Sequence, residues 1–248
     1  MKIIEVKNYQ EMSQAAAKYI INKVKNSPKL TLGLATGGTP TGVYQQLVED
    51  HKQNHTSYAH VTSFNLDEYI GLAKDDPNSY YHYMDENLFK HINISPEHTH
   101  IPSGMNLDLQ AVCNEYESKI LEQGGIDLQL LGIGSNGHIG FNEPGTSFQA
   151  KTHVVDLTPS TREANARYFN KFEEVPTQAI TMGIQTIFKS KEILLLISGK
   201  EKQEAMANLL NGDVTESFPA SILKQHPNAT VIADEEALLG VKDVSLFK

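Results

Sequence analysis

A chain of 248 residues with 40% hydrophobic and 21% charged side chains is sized for one large α/β domain and is marginal for two. Its net charge of −9 argues against a general nucleic-acid binder, and its single cysteine, Cys113, excludes an internal disulfide and fits a reducing compartment. The opening M-K-I-I-E-V-K-N lacks the apolar core of a signal peptide, and no segment reaches the roughly 18 apolar residues of a membrane span, so the expectation is a soluble, cytoplasmic protein.

Asn8 with Glu11 three residues on is a capping-box-like helix start, and Met12, Ala16, Ile20 and Val24 then share one face. Leu30–Ala35 reads as the first strand, leaving no room before it for a helix-turn-helix. It runs into T-G-G-T-P at 36–40 and a helix to about Glu49. Val61–Leu66 is the next strand and ends at Asp67-Glu68. Leu109, Val112, Tyr116 and Ile120 mark an amphipathic helix, stopped by Gly124-Gly125, in which Cys113 is a structural thiol. Ile126–Leu131 is short enough for a buried strand, and the aliphatic run Ile193–Ile197 suits a strand covered on both faces. Ser198-Gly199 leads into a helix with Ala205, Met206, Leu209 and Leu210, and Thr230–Ala233 is a last short strand. The alternation predicts a single three-layer α/β domain over residues 1–248, with a mostly parallel sheet and helices on both faces.

Ligands of such sheets sit at the carboxyl ends of strands, and three loops lie there. Thr36-Gly37-Gly38-Thr39-Pro40 offers close backbone approach and a helix N-terminus suited to phosphate, yet it is neither a G-x-G-x-x-G fingerprint nor a P-loop. Asp67-Glu68 is a candidate general base or merely a solvated acidic turn. The most informative stretch is L-G-I-G-S-N-G-H-I-G-F-N-E-P at 131–144, where His138 follows three glycines and Glu143 stands before Pro144. A histidine and a carboxylate on a glycine-rich turn suit proton transfer, with Glu143 orienting or charge-stabilising the imidazole. No G-x-S-x-G elbow is present and Cys113 has no evident base, which disfavours covalent hydrolysis. Arg162, Arg167, Lys200 and Lys202 supply cations for an anionic ligand. His91, His98 and His100 lack a metal-binding spacing, so no metal is expected. Aromatic residues are dispersed and tryptophan is absent, so no stacking platform for single strands is expected.

In order along essentially the whole chain, A-T-G-G-T-P at 35–40, F-N-L-D-E-Y at 64–69, S-Y-Y at 79–81, G-S-N-G-H-I-G-F-N-E-P at 134–144 and T-R-E-A-N-A-R at 161–167 resemble the glucosamine-6-phosphate deaminase family. The glycine loop alone is shared with related sugar-phosphate isomerases and lactonases. The resemblance implies a Rossmann-like sheet and a reversible, cofactor-free conversion of glucosamine 6-phosphate and water to fructose 6-phosphate and ammonium. It places the ring-opening base on His138, its carboxylate partner on Glu143 and the C2-to-C1 proton carrier on Asp67. The 6-phosphate would rest on Gly37, Gly38, Thr39, Arg167 and Lys202. Other enzymes of the same fold, and the sugar-phosphate-sensing domains of some regulators, are the competing readings. A sensor would have no need of three proton-transfer residues.

Two departures stand out. Asn136 occupies a position where many members carry an aspartate contacting the histidine; an amide can orient the ring but adds no charge, so Asn136→Asp is expected to raise the basicity of His138. Longer members also have a C-terminal extension and basic residues binding the activator N-acetylglucosamine 6-phosphate. This sequence ends at Lys248 and has His153 and Val155 in that region, which counts against allosteric activation. The oligomeric state is open.

Overall fold

The computed structural model describes residues 1–239 and 241. In chain order its elements are β1 (Lys2–Val6), α1 (Tyr9–Asn26), β2 (Leu30–Leu34), α2 (Gly38–Asn54), β3 (Val61–Asn65), β4 (Asp67–Tyr69), α3 (Tyr80–Asn87), β5 (Thr99–His100) and α4 (Leu109–Glu122). They continue with β6 (Leu128–Gly132), β7 (His153–Asp156), α5 (Pro159–Asn165), β8 (Gln178–Thr181), α6 (Ile184–Phe188), β9 (Glu192–Ile197), α7 (Gln203–Asn211), β10 (Ala229–Asp234) and α8 (Glu235–Leu238). Lys248, on which the expectation about a C-terminal extension rests, lies outside the described residues.

Seven strands form a sheet in the order β1-β10-β9-β6-β2-β3-β5, with every pair parallel. The run Ile193–Ile197 serves both faces. Leu194 and Leu196 join Leu30, Leu32, Leu128 and Leu130 under α1 and α2, while Ile193, Leu195 and Ile197 join Tyr116, Ile187 and Met206 on the opposite side. Each such side chain, fully buried, contributes roughly 1.5–3 kcal/mol. Helix α1 begins as its sequence implies: the Asn8 side chain accepts the Glu11 amide at 3.0 Å. The Glu11 carboxylate in return accepts the amide of Lys7 rather than that of Asn8, at 3.1 Å.

One expectation needs correction, and one element adds to the expected fold. The first strand is Lys2–Val6, not Leu30–Ala35; it is an edge strand paired with residues 230–234, so nothing local to its sequence stabilises it. Residues before Leu30 are therefore taken up by β1 and α1. A second, antiparallel sheet, β4-β8-β7, also stands beside the main one and holds Asp67 at one end of its first strand.

From β2 the chain crosses to β3 on one side, whereas β6 lies on the other side of β2. Open sheets bind ligands at such reversals, beyond the strand ends. The loops after β2 and β6 border this crevice.

Candidate active site

The loop after β2 is held from behind by three phenols and a threonine. Tyr44 donates to the carbonyl of Ala35 at 2.5 Å, and Tyr83 and Thr41 donate to that of Gly37 at 2.7 and 3.0 Å. Tyr9 donates to Gly38 O at 2.9 Å and accepts the amide of Gly42 at 2.9 Å. With the carbonyls engaged and no side chain capping α2 at Gly37, the first-turn amides of the helix remain available to an anion. Pro40 at the third helical position has no amide to satisfy.

After β6 the chain turns tightly, with Gly134 N donating to His138 O at 2.9 Å and Gly137 N to Gly134 O at 3.0 Å. A Cβ on Gly134 would meet the His138 ring at 2.2 Å, so only glycine leaves room for the imidazole. Gly137 has φ +86°, and a Cβ there would strike Phe218 at 2.3 Å. Behind the ring, Glu143 Oε1 lies 3.6 Å from His138 Nδ1, a charge contact too long for a hydrogen bond. Nδ1 is buried without a hydrogen-bond partner among the described residues. Glu143 accepts from Asn136 Nδ2 at 2.7 Å and from the Thr161 hydroxyl at 2.7 Å. Partial burial alone would raise its carboxyl. The neighbouring imidazole and these donors outweigh that and hold it at about 2.

Asn136 thus differs from its expected role. Its amide reaches Glu143, and its carbonyl accepts the backbone N–H of His138 at 3.2 Å; it makes no hydrogen bond to the ring. An aspartate has no N–H to give Glu143, which is why the amide fits here.

Asp67, 6% exposed, faces the crevice from β4. Burial first, and then the charge of Glu68, push its carboxyl up to about 8. Glu68 is no solvated turn residue: it is 4% exposed and accepts the amides of Tyr69, Tyr80 and Tyr81 at 2.8, 2.9 and 3.0 Å. It thereby satisfies the start of α3, while the Ser79 side chain accepts the His82 amide at 3.0 Å. Tyr69, Tyr80, Phe141 and Phe169 form an aromatic wall beside Asp67, with Tyr69–Tyr80 ring centroids 4.7 Å apart.

These groups surround one cleft of about 600 Å³. Arg167 and Lys202 also line it; burial, reinforced by the charge of Arg167, lowers the Lys202 ammonium. A partly buried lysine and an exposed arginine next to a helix N-terminus suit a phosphate dianion.

The family model described as glucosamine-6-phosphate isomerases/6-phosphogluconolactonase matches residues 7–232. The chain belongs to this family. It is 63% identical over 237 residues to a glucosamine-6-phosphate deaminase of Shouchella clausii, covering 96% of each chain. It is 54% identical over 237 residues to glucosamine-6-phosphate deaminase 1 of Bacillus subtilis, covering 96% of this chain and 98% of that one. A solved monomeric glucosamine-6-phosphate deaminase superposes with a TM-score of 0.95 at 53% identity, covering 96% of this chain and 99% of the other. The 6-phosphogluconolactonase of Trypanosoma cruzi, at 21% identity and a TM-score of 0.79, shares the fold.

Within this family frame the structure brings Gly37, Thr39, Asp67, Asn136, His138, Arg167 and Lys202 to the cleft wall. Gly38 and Glu143 stand behind that wall, bonded to Tyr9 and to Thr161 and Asn136. Arg162 faces elsewhere, donating to Val175 O at 2.9 Å with its guanidinium over the Phe172 ring. Among the described residues no group of three or more His, Cys, Asp or Glu side chains is placed to hold a metal ion, and His100 stacks on Phe64. No described helix is long and apolar enough to cross a membrane. Sequence reasoning missed Tyr9, Tyr44, Tyr83, Glu68 and Thr161 as site supports. Of these, Glu68 and Thr161 lie inside the quoted motifs F-N-L-D-E-Y and T-R-E-A-N-A-R, the one signal that could have drawn attention to them.

Proposed function

We infer that this chain is a glucosamine-6-phosphate deaminase, converting glucosamine 6-phosphate and water to fructose 6-phosphate and ammonium. The observation that carries the reading is one cleft with two separate proton-transfer stations, His138 backed by Glu143 and the buried Asp67, together with the cations Arg167 and Lys202. Opening a lactone needs an activated water; moving a proton between adjacent carbons needs a second base. Asp67, sequestered from water and with an elevated proton affinity, suits that second task.

In the cyclic sugar, His138 takes the proton of the anomeric hydroxyl and the ring oxygen leaves C1 and is protonated, giving the open aldehyde. Glu143 stabilises the imidazolium formed meanwhile. The Asp67 carboxylate then removes the C2 proton; the electron pair forms the C1–C2 double bond and the aldehyde oxygen takes up a proton, giving an enolamine. Asp67 returns a proton to C1, which leaves C2 doubly bonded to nitrogen. Water adds at C2 and the nitrogen departs as ammonium, giving the ketose. The 6-phosphate, seated on the α2 amides, Thr39, Arg167 and Lys202, fixes the reacting carbons against these groups.

The buried, unpaired Cys113 and the net charge of −9 support a cytoplasmic enzyme of small molecules rather than a nucleic-acid binder. The test is release of ammonium from glucosamine 6-phosphate by the purified protein, with 6-phosphogluconolactone as the competing substrate. Turnover of the amino sugar that is lost in His138→Ala is expected. Lactone hydrolysis without ammonium release would overturn the reading.

A further inference from the structure

Glu143 is held by a directed chain of hydroxyls. Thr158, the N-cap of α5, accepts the Thr161 amide at 3.2 Å and donates its own hydroxyl to Thr161 Oγ1 at 3.0 Å. Thr161 in turn donates to Glu143 Oε1 at 2.7 Å. A hydroxyl has one proton, so accepting from Thr158 leaves Thr161 with its proton aimed at the carboxylate. Oε1 is also the oxygen that faces His138 Nδ1 across 3.6 Å, the gap that must shorten for the pair to share a proton. Two positions past the end of α5, the same segment brings Arg167 to the cleft. Arg162, between them, ties that segment to Val175 O. The stretch that presents a phosphate cation is therefore also the stretch that sets one oxygen of Glu143.

We propose that Thr161 is a positioning residue through which seating of the 6-phosphate on Arg167 sets Glu143 against His138, so that the remote phosphate contributes to ring opening as well as to affinity. This rests on the ring-opening role given above to His138 and Glu143. Binding energy realised far from the reacting atoms then appears in kcat, not in KM alone.

The experiment compares wild type, Thr161→Val and Thr161→Ser in ammonium release, and measures inorganic phosphate as a competitive inhibitor of each. Valine keeps the shape and removes the donor; kcat is expected to fall about tenfold, with KM and the phosphate inhibition constant within about twofold of wild type. Serine restores the donor and is expected to recover kcat to within about threefold. An unchanged kcat in the valine variant would overturn the proposal, as would a serine variant equally impaired. A phosphate constant that rises in step with the lost rate would do so too, since it marks a collapsed segment rather than a misplaced carboxylate. If Thr161→Val fails to fold, Thr158→Asp keeps an N-cap acceptor for the Thr161 amide and removes the orienting donor: a loss of kcat at constant phosphate affinity supports the proposal, and no loss overturns it. A wild type that releases no ammonium overturns the functional reading and this inference together; an active wild type with an unimpaired valine variant overturns this inference alone.

Discussion

Asp67 combines two properties that conflict in a stable protein: it is buried, and the proposed reaction needs it ionised. Its folded value of about 8 lies above the usual carboxylate range near 3.9. A carboxyl raised on folding leaves stability intact below about pH 4 and removes it progressively as pH rises towards 8. Asp67→Asn removes that penalty and is expected to melt about 2–8 °C higher than wild type at pH 8. The difference should vanish near pH 4, while ammonium release falls by about a thousandfold or more. Thermal melts of both proteins across pH check the sign; a variant less stable at pH 8 would contradict it. Asn136 carries the second prediction at this scale. Aspartate there sets a carboxylate against Glu143 where a donor now stands at 2.7 Å, and two such neighbours cannot both ionise freely. Asn136→Asp should therefore lift Glu143 from about 2, read as an upward shift of its carboxyl titration by NMR, whereas an unchanged titration would count against the contact. His138 and Glu143 were legible because their chemistry lies on one short loop. Thr161, Tyr9 and Tyr83 were not, since their hydrogen bonds span 18, 29 and 46 residues.

Among the elements, those with a strong local signal were legible and those held by remote partners were not. The helical face of Met12, Ala16, Ile20 and Val24 and the aliphatic run Ile193–Ile197 announce themselves by period and composition, and both are buried as expected. β5 and the strands of the β4-β8-β7 sheet are short and β1 is an edge strand, and pairing with distant strands fixes them all, so tertiary context decides them over local pattern. Helix α3 shows how the site depends on such context. Its start is fastened to Glu68, twelve or more residues upstream. Glu68→Gln keeps the shape but replaces one acceptor oxygen with a donor facing a backbone amide. A loss of about 1–3 kcal/mol in urea unfolding is expected. Removing the neighbouring charge should also lower Asp67 from about 8, shifting the rise of kcat/KM to lower pH. Unchanged stability would contradict the capping role.

For the molecule as a whole, the reversal of strand order between β2 and β6 gathers residues from distant parts of the chain into one cleft. In the function proposed above, the glycine loop with Arg167 and Lys202 is the anion seat, His138 with Glu143 is one proton station, and Asp67 is the other. The same fold serves a lactonase at 21% identity, so the architecture supplies the cleft and the side chains decide the chemistry. The division of labour between the two stations is tested most directly with glucosamine 6-phosphate deuterated at C2, following loss of that deuterium by NMR alongside ammonium release. Wild type should lose the label as ammonium appears, and Asp67→Asn should open the ring yet retain it. Loss of the C2 deuterium by Asp67→Asn at the wild-type rate would contradict the assignment of Asp67 as the carbon base.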